Sequence, residues 1–182
     1  MTYKECITDA FTDISKDPMI IHVGYCVKYG FADGVLCNVE ESKLLETPVA
    51  ENLMTGMSIG LSIEGFLPVI HFQRMDFILN ALDAIVNHLD KIERMSKGEF
   101  KPACIIRCVV GNSKKPLYTG LTHTQDFTSA LIEMVDMPII TLNHAPIIKE
   151  RYVRAYNDMR LRHKSTILVE YKDKWDEQIQ QL

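Results

Sequence analysis

The run Met19-Ile20-Ile21-His22-Val23 lies between Asp17-Pro18 and Gly24. A short, mostly apolar run bounded by turn-forming residues predicts a buried strand, because a strand in a parallel sheet is covered on both faces. The preceding residues 3–15 carry apolar side chains at helical spacing with acids between them, which predicts an amphipathic helix. A helix followed by a buried strand is typical of an α/β protein.

Further helices and strands alternate along the chain. Strands are predicted at residues 67–72, 103–110, 138–142 and 165–170, and helices at residues 47–63, 77–96, 126–135 and 146–163. Between Gly24 and Glu46, glycines and Asn38 interrupt any period, so no element is predicted there. The alternation predicts an α/β three-layer sandwich with a mostly parallel central sheet. Residues 1–172 are predicted to form one domain and residues 173–182 a polar tail.

The predicted helix 47–63 has two unusual features. Thr47 is a good helix cap and Pro48 is favoured at a first helical position, so the helix is predicted to begin there. Gly56 and Gly60 lie inside it, and glycine within a helix costs about 1 kcal/mol relative to alanine. We therefore expect this helix to pack tightly against a neighbouring element.

Composition argues against several classes of function. With 47% hydrophobic residues, 24% charged residues and a net charge of -4, the chain offers no electrostatic case for binding nucleic acid or a membrane. Its five cysteines include no Cys-x-x-Cys pair, so neither a disulfide framework nor a zinc site is indicated. The N-terminus lacks the pattern of a signal peptide, and no stretch approaches the roughly 20 apolar residues of a membrane span. These features predict a cytoplasmic protein with free thiols and no metal ligands of its own.

A series of residues in a fixed order connects the chain to a known family. Glu46-Thr47-Pro48-Val49-Ala50-Glu51 opens the series. It continues with Gly56, Gly60, Gly65, Pro68, Phe72, Phe77, Ala81, Asp83, Ile85-Val86-Asn87, Lys91, Met95-Ser96, Gly98, Ile105-Ile106-Arg107, Gly120 and Thr122-His123-Thr124-Gln125. In this order the chain resembles the pyrimidine-binding domain of the transketolase-like thiamine-diphosphate enzymes. In particular, it is similar to the beta subunit of the decarboxylating component of pyruvate-type 2-oxo-acid dehydrogenases, over residues 3–171.

The resemblance implies thiamine diphosphate as cofactor and a role for each of three residues. Glu51 matches the glutamate that addresses the ring nitrogen of the aminopyrimidine, Phe77 the aromatic residue that stacks on that ring, and His123 a histidine that reaches the active site. Each also has a plainer interpretation. A carboxylate in a first helical turn complements the helix dipole, a phenylalanine on an apolar helix belongs to the core, and a loop histidine lies at the surface.

Three segments depart from the family pattern. The family's Gly-Glu-Asp-Val is Gly24-Tyr25-Cys26-Val27 here, and His71 stands where relatives commonly have an acid. In relatives such acids help to form a proton path between two active sites, so we expect that path to be absent or rewired. Residues 112–118 stand where the family has a glycine-rich segment. The substrate contacts that the family makes through that segment are therefore not carried over to this loop.

The sequence contains no Gly-Asp-Gly motif, with which thiamine-diphosphate enzymes hold Mg²⁺ and the diphosphate. The resemblance therefore implies an alpha-type partner subunit that supplies this site, in an α2β2 assembly acting on a 2-oxo acid or a ketose. The family's carboxy-terminal domain is also missing from the sequence, which favours ketol transfer or simple decarboxylation over docking to a multienzyme complex. The alternatives are a non-catalytic structural or regulatory subunit and a fragment of a longer dehydrogenase beta subunit.

Overall fold

The computed structural model describes residues 1–114 and 118–178. Its centre is a six-stranded sheet in which neighbouring strands are parallel. The strands are β1 (Ile20–Gly24), β2 (Leu44–Glu46), β3 (Leu67–Phe72), β4 (Ile105–Val110), β5 (Ile139–Thr141) and β6 (Thr166–Tyr171). They lie in the order β2-β1-β3-β4-β6-β5. The predicted α/β class with a parallel central sheet is confirmed.

Helices cover both faces of this sheet. They are α1 (Tyr3–Ile14), α2 (Glu51–Ile63), α3 (Ile92–Met95), α4 (Thr128–Met134) and α5 (Ala145–Arg162). On one face α1 and α5 pack together, with Phe11 of α1 against Tyr152 of α5. On the other face α2 and the helical segments after β3 pack around Ile70 and Phe72. The chain thus has one core on each side of the sheet. No helix within the described ranges is both long and apolar enough to cross a membrane.

The helix predicted from Thr47 begins instead at Glu51. The Thr47 N–H donates to the carbonyl of Gly24 at 3.1 Å, which continues the pairing of β2 with β1 beyond Glu46. The Thr47 hydroxyl is buried and has no hydrogen-bond partner in the described part of the chain, so it caps no helix. Non-helical backbone up to Ala50 therefore puts Glu51 at the first helical position. The edge strand β2 itself lies in the stretch where no element was predicted.

The helix predicted over residues 77–96 consists of three segments with different pitch. A 3₁₀ segment (Met75–Ala81) is followed by a π segment (Asp83–Leu89) and then by α3. Just after the pitch changes, the Ala84 N–H donates to Asn52 Oδ1 of α2 at 3.3 Å. Ile85 and Leu89 of the predicted apolar face are buried, whereas Leu79 is 47% exposed, and apolar spacing alone does not separate 3₁₀, α and π geometry.

The glycines of α2 do not pack against another element of the chain. No described atom lies within 4 Å of the position that a Cβ would occupy at Gly56 or Gly60. Both residues face outward, so the expectation of close packing is wrong for the single chain.

The segment expected to be a polar tail is packed as far as it is described. Trp175 is buried in the core on the α1 side of the sheet. The ammonium groups of Lys4 and Lys172 lie 5.4 and 4.8 Å from the centre of its ring, within the range of cation–π attraction. An antiparallel bridge joins Thr2 to Gln178, and residues 179–182 lie outside the described residues.

An ion pair is buried between the sheet and the α1–α5 layer. Arg107 donates through Nε and Nη2 to the Glu170 carboxylate at 2.9 and 2.7 Å, and both side chains are fully buried. The Tyr152 hydroxyl donates to the same carboxylate at 2.5 Å. Burial opposes the charge of the guanidinium, but Glu170 outweighs it and raises the pKa of Arg107. The charged pair therefore links β4, β6 and α5.

Replacing Arg107 by methionine should lower the free energy of unfolding by about 3–5 kcal/mol, because the Glu170 carboxylate would stay buried without its cation. Urea unfolding of the free chain measures this loss. The matched control is Arg162→Met, which removes an exposed pair with Asp158 and should cost less than about 1 kcal/mol. Equal losses from the two changes would contradict the role given to Arg107.

Candidate active site

A cavity of about 350 Å³ opens at the edge of the sheet where β1 and β3 end. The carboxyl edge of a parallel sheet is where α/β proteins commonly bind their ligands. The wall is formed by Tyr25, Val49, Glu51, Met54, His71, Phe72, Gln73, Arg74, Phe77 and His123. Glu51, Phe77 and His123, the three residues singled out from the sequence, therefore lie together around one cavity.

Glu51 reaches the cavity from the first position of α2. The residue is 7% exposed, and Asn80 Nδ2 donates to its Oε2 at 3.3 Å. Within the described ranges no other donor bonds to this carboxylate, which leaves Oε1 for a ligand. The positive end of the helix dipole lies next to the carboxylate. Val49 and Met54 line the same wall, and apolar surroundings strengthen a hydrogen bond made there.

Phe77 and His123 form one corner of the cavity. Their ring centroids lie 5.3 Å apart with the planes at 84°, an edge-to-face contact. His123 Nδ1 lies 2.9 Å from Thr122 Oγ1. In the described part of the chain no group bonds to His123 Nε2. The half-buried ring of Phe77 offers a flat apolar surface beside a nitrogen that is free to donate or accept.

The loop that carries His123 is fixed at two points. Asp76 Oδ1 accepts from the backbone N–H and the side-chain amide of Gln125 at 3.3 and 2.9 Å. Gly111, directly after β4, lies against the His123 carbonyl, and a Cβ at Gly111 would stand only 1.7 Å from that oxygen. This approach requires glycine. Of the departing loop 112–118, residues 115–117 lie outside the described residues.

Sequence reasoning missed a charged cluster beside the cavity. Arg74 Nη1 and Lys172 Nζ donate to Asp33 Oδ2 at 3.3 and 3.0 Å. Burial would raise the pKa of Asp33, but Lys172 and Arg74 outweigh it and hold that pKa below its usual range. Phe31, Ala32 and Asp33 have positive φ values of 49°, 47° and 65°, a strained turn for side chains of this kind. The ion pairs help to hold this turn, and Asp33-Gly34 signalled a loop without naming its partners.

His71, which replaces a family acid, belongs to a buried chain of hydrogen bonds. Its Nε2 lies 2.9 Å from His22 Nδ1, and His22 Nε2 lies 2.8 Å from Ser15 Oγ. Burial is the main cause that lowers the pKa of His22 to about 3 and the pKa of His71 well below its ordinary value. Both rings are therefore neutral at pH 7, and the wall carries no charge at position 71.

No protein-family model matches the chain, but curated proteins match it in sequence. The pyruvate dehydrogenase E1 component subunit beta of Chaetosphaeridium globosum is 30% identical over 131 residues, which are 69% of this chain and 39% of that protein. The mitochondrial subunit beta of Saccharomyces cerevisiae is 28% identical over 134 residues, which are 70% of this chain and 36% of that protein. This chain is a homologue of pyruvate dehydrogenase E1 beta subunits.

The beta-subunit homologue also has a structural neighbour. A solved structure described as a split-gene transketolase, inactive beta4 tetramer, matches 94% of this chain and 52% of that chain with a TM-score of 0.72. At 13% identity this likeness concerns the fold alone. The homologue spans less than half the length of the two curated beta subunits, so it corresponds to one part of them.

Gly111→Ala in the beta-subunit homologue should lower the free energy of unfolding by about 1–3 kcal/mol, because the new methyl group would push the His123 loop away from Phe77. Urea unfolding and the NMR signals of the His123 ring measure both effects. Gly56→Ala is the matched control. It adds the same methyl group where no described atom lies within 4 Å, and should stabilise the helix by up to about 1 kcal/mol. Destabilisation of both variants to the same extent would contradict the close contact at Gly111.

Acidification should destabilise the beta-subunit homologue before its carboxylates titrate. His22 and His71 are neutral when folded, whereas unfolded histidines bind protons with a pKa of about 6.5. The unfolded chain therefore takes up more protons below that pH, and stability falls by about 2–4 kcal/mol from pH 7 to pH 5. Urea unfolding across this range measures the slope.

The double variant His22→Gln, His71→Gln should flatten this slope, whereas His88→Gln at an exposed histidine should leave it unchanged. A slope that survives the double variant would exclude the buried pair as its cause.

Proposed function

We propose that this chain is the pyrimidine-binding subunit of a two-subunit thiamine-diphosphate enzyme. The enzyme would cleave a carbon–carbon bond next to a carbonyl and transfer or release the acyl or two-carbon unit, as a transketolase or a 2-oxo-acid decarboxylase does. The observation that carries the proposal is the placement of Glu51, Phe77 and His123 around one cavity in a homologue of E1 beta subunits. Residues 1–172 would form the pyrimidine-binding domain.

The cavity wall suits an aminopyrimidine ring. Its volume of about 350 Å³ lies in the range of small-molecule sites. Phe77, Val49 and Met54 supply apolar surface for the faces of a flat ring, and Glu51 supplies a carboxylate oxygen for its edge. A ring with a nitrogen at its edge needs this combination of stacking surface and polar partner.

Glu51 would hold a proton between its Oε1 and the ring nitrogen of the aminopyrimidine. Thiamine diphosphate supplies, when bound, an electron sink for the electrons of the carbon–carbon bond that breaks. A carboxyl group that shares a proton acts best where water is excluded, and the 7% exposure of Glu51 meets that condition. Asn80, bonded to Oε2, would keep the other oxygen turned towards the ligand.

His123 would act at the substrate end of the cavity. Its Nε2 is the ring nitrogen without a partner in the described residues, and Thr122 together with the edge of Phe77 orients the ring. Donation from Nε2 would stabilise negative charge that develops on a substrate oxygen. Phe77 therefore serves twice, as a stacking surface and as a support for His123.

The proposed partner is an alpha-type subunit that holds Mg²⁺ and the diphosphate, in an α2β2 assembly. Apolar side chains are exposed on the segments that form the cavity wall: Val49 is 62%, Leu53 51% and Leu79 47% exposed. Apolar surface next to a ligand site is typical of a protein interface. Gly56 and Gly60 on the outer side of α2 would let a second backbone approach closely.

Reconstitution with a diphosphate-binding partner tests the function. The complex should bind thiamine diphosphate, which neither subunit binds alone. Glu51→Gln should slow exchange of the cofactor's C2 proton about 100- to 10,000-fold, because an amide cannot share a proton with the ring nitrogen. Quenched-flow deuterium exchange read by NMR measures the rate. Glu64→Gln, at the exposed end of the same helix, is the control and should exchange normally.

Normal exchange in the Glu51→Gln complex would refute the role of Glu51. A complex that assembles but binds no thiamine diphosphate would instead support the non-catalytic, structural or regulatory function.

A further inference from the structure

Arg74 is a cation in the cavity wall that the roles of Glu51, Phe77 and His123 leave unused. It follows β3 directly, and its side chain is 15% exposed. Nη1 takes up both of its protein contacts, to Asp33 Oδ2 and to the Gln73 carbonyl. In the described part of the chain Nη2 has no hydrogen-bond partner, and Nε is buried without one. Nη2 is therefore the nitrogen that is left for a ligand, because Nη1 is occupied and Nε is buried away from solvent.

Arg74 shares its acidic partner with a second cation. Arg74 and Lys172 both bond to one carboxylate, that of Asp33, so two cations share a single anion. Among the cavity-lining residues Glu51 is the carboxylate that could compensate the remaining charge. In the proposed function Glu51 is engaged with the pyrimidine ring, and His71 of β3 is neutral. Arg74 is then the cation of the cavity wall that is available to a ligand.

The side chain of Arg74 is also held in place. Its Cδ would lie 3.2 Å from a Cβ at Gly111, so the stem lies against the backbone directly after β4. Asp33 fixes the other end of the guanidinium from its strained turn. A guanidinium fixed at Nη1 presents Nη2 in a defined direction, which suits a charge-assisted hydrogen bond to an oxygen of a carboxylate or phosphate.

We propose that Arg74 binds the anionic group of the donor substrate, with Asp33 as its positioning residue. The inference rests on the proposed function and adds to it a requirement for an anionic donor. A 2-oxo acid offers a carboxylate and a ketose phosphate offers a phosphate, and either group can present an oxygen to Nη2 of Arg74. Lys172, which shares Asp33 but does not line the cavity, has no part in this contact.

The first test uses the free chain labelled with ¹⁵N-arginine. Pyruvate or fructose 6-phosphate should shift the Arg74 Nε–H resonance, and pyruvamide, the uncharged analogue of pyruvate, should not. The anion that produces the shift identifies carboxylate or phosphate as the group that is bound. The resonance is assigned by its loss in Arg74→Lys. An equal shift with pyruvamide, or no shift with either anion, would overturn the proposal.

The second test uses the reconstituted complex with its anionic donor. Arg74→Gln should raise KM about 10- to 100-fold through loss of a charge-assisted hydrogen bond, without a change in thiamine-diphosphate affinity. Arg74→Lys keeps the positive charge but loses the planar guanidinium, and should raise KM less than Arg74→Gln does. Lys172→Gln removes a cation from the same Asp33 and should leave KM unchanged.

An equal rise in KM in Arg74→Gln and Lys172→Gln would show a general effect of charge and overturn the proposal. If the wild-type complex binds no cofactor, the proposed function fails, whereas the NMR shifts still decide the anion site.

Discussion

The buried pair of Arg107 and Glu170 is the contact on which the arrangement of the sheet depends. Arg107 lies opposite Leu168, and Glu170 lies opposite Val109, so the two side chains meet diagonally on one face of β4 and β6. A slip by one residue would turn one partner into the apolar core on the other face and leave two charges unpaired. Gly111 directly follows β4, and Lys172 directly follows β6. The register set by the ion pair therefore also aligns Gly111, which contacts the His123 loop, with Lys172, which contacts Asp33.

The two faces of the sheet contribute differently to the site. The α1–α5 face contains the ion pair and the histidine chain, which join neighbouring strands, and His71 of that chain also lines the cavity. The other face is apolar, and α2 lies on it with Glu51 at its first position, at the edge where the strands end. That position depends on β2, because the bond from Thr47 to Gly24 ties the chain to β1 and the backbone stays non-helical until Ala50. A short edge strand thus decides which residue of the Thr-Pro-x-x-Glu segment enters the cavity.

The sequence predicted the buried strands and the two helices of the α1–α5 layer because their apolar patterns are long and regular. It missed β2, since Leu44-Leu45-Glu46 is too short to show a period, and it merged the 3₁₀, π and α3 segments into one helix, because apolar residues recur throughout the stretch. For the candidate site, Glu51, Phe77 and His123 came from a family resemblance, and the structure gathers them around one cavity. Arg74 lay outside every motif, because its importance depends on Asp33 and Gly111, which are distant in sequence and adjacent only after folding.

The replacement of an acid by His71 follows from the same core. His71 lies opposite Arg107 on the neighbouring strand, and Arg107 is among the groups that lower its pKa. An ionised acid at position 71 could contact the unpartnered Nη1 of Arg107, but two buried carboxylates would then compete for the single charge of a guanidinium that already bonds to Glu170. A neutral imidazole avoids this competition and bonds instead to His22, which bonds to Ser15. The buried ion pair and the missing acid are therefore two aspects of one arrangement. Because position 71 carries no charge, Glu51 and Arg74 are the acidic and the basic side chain that set the electrostatic field of the cavity.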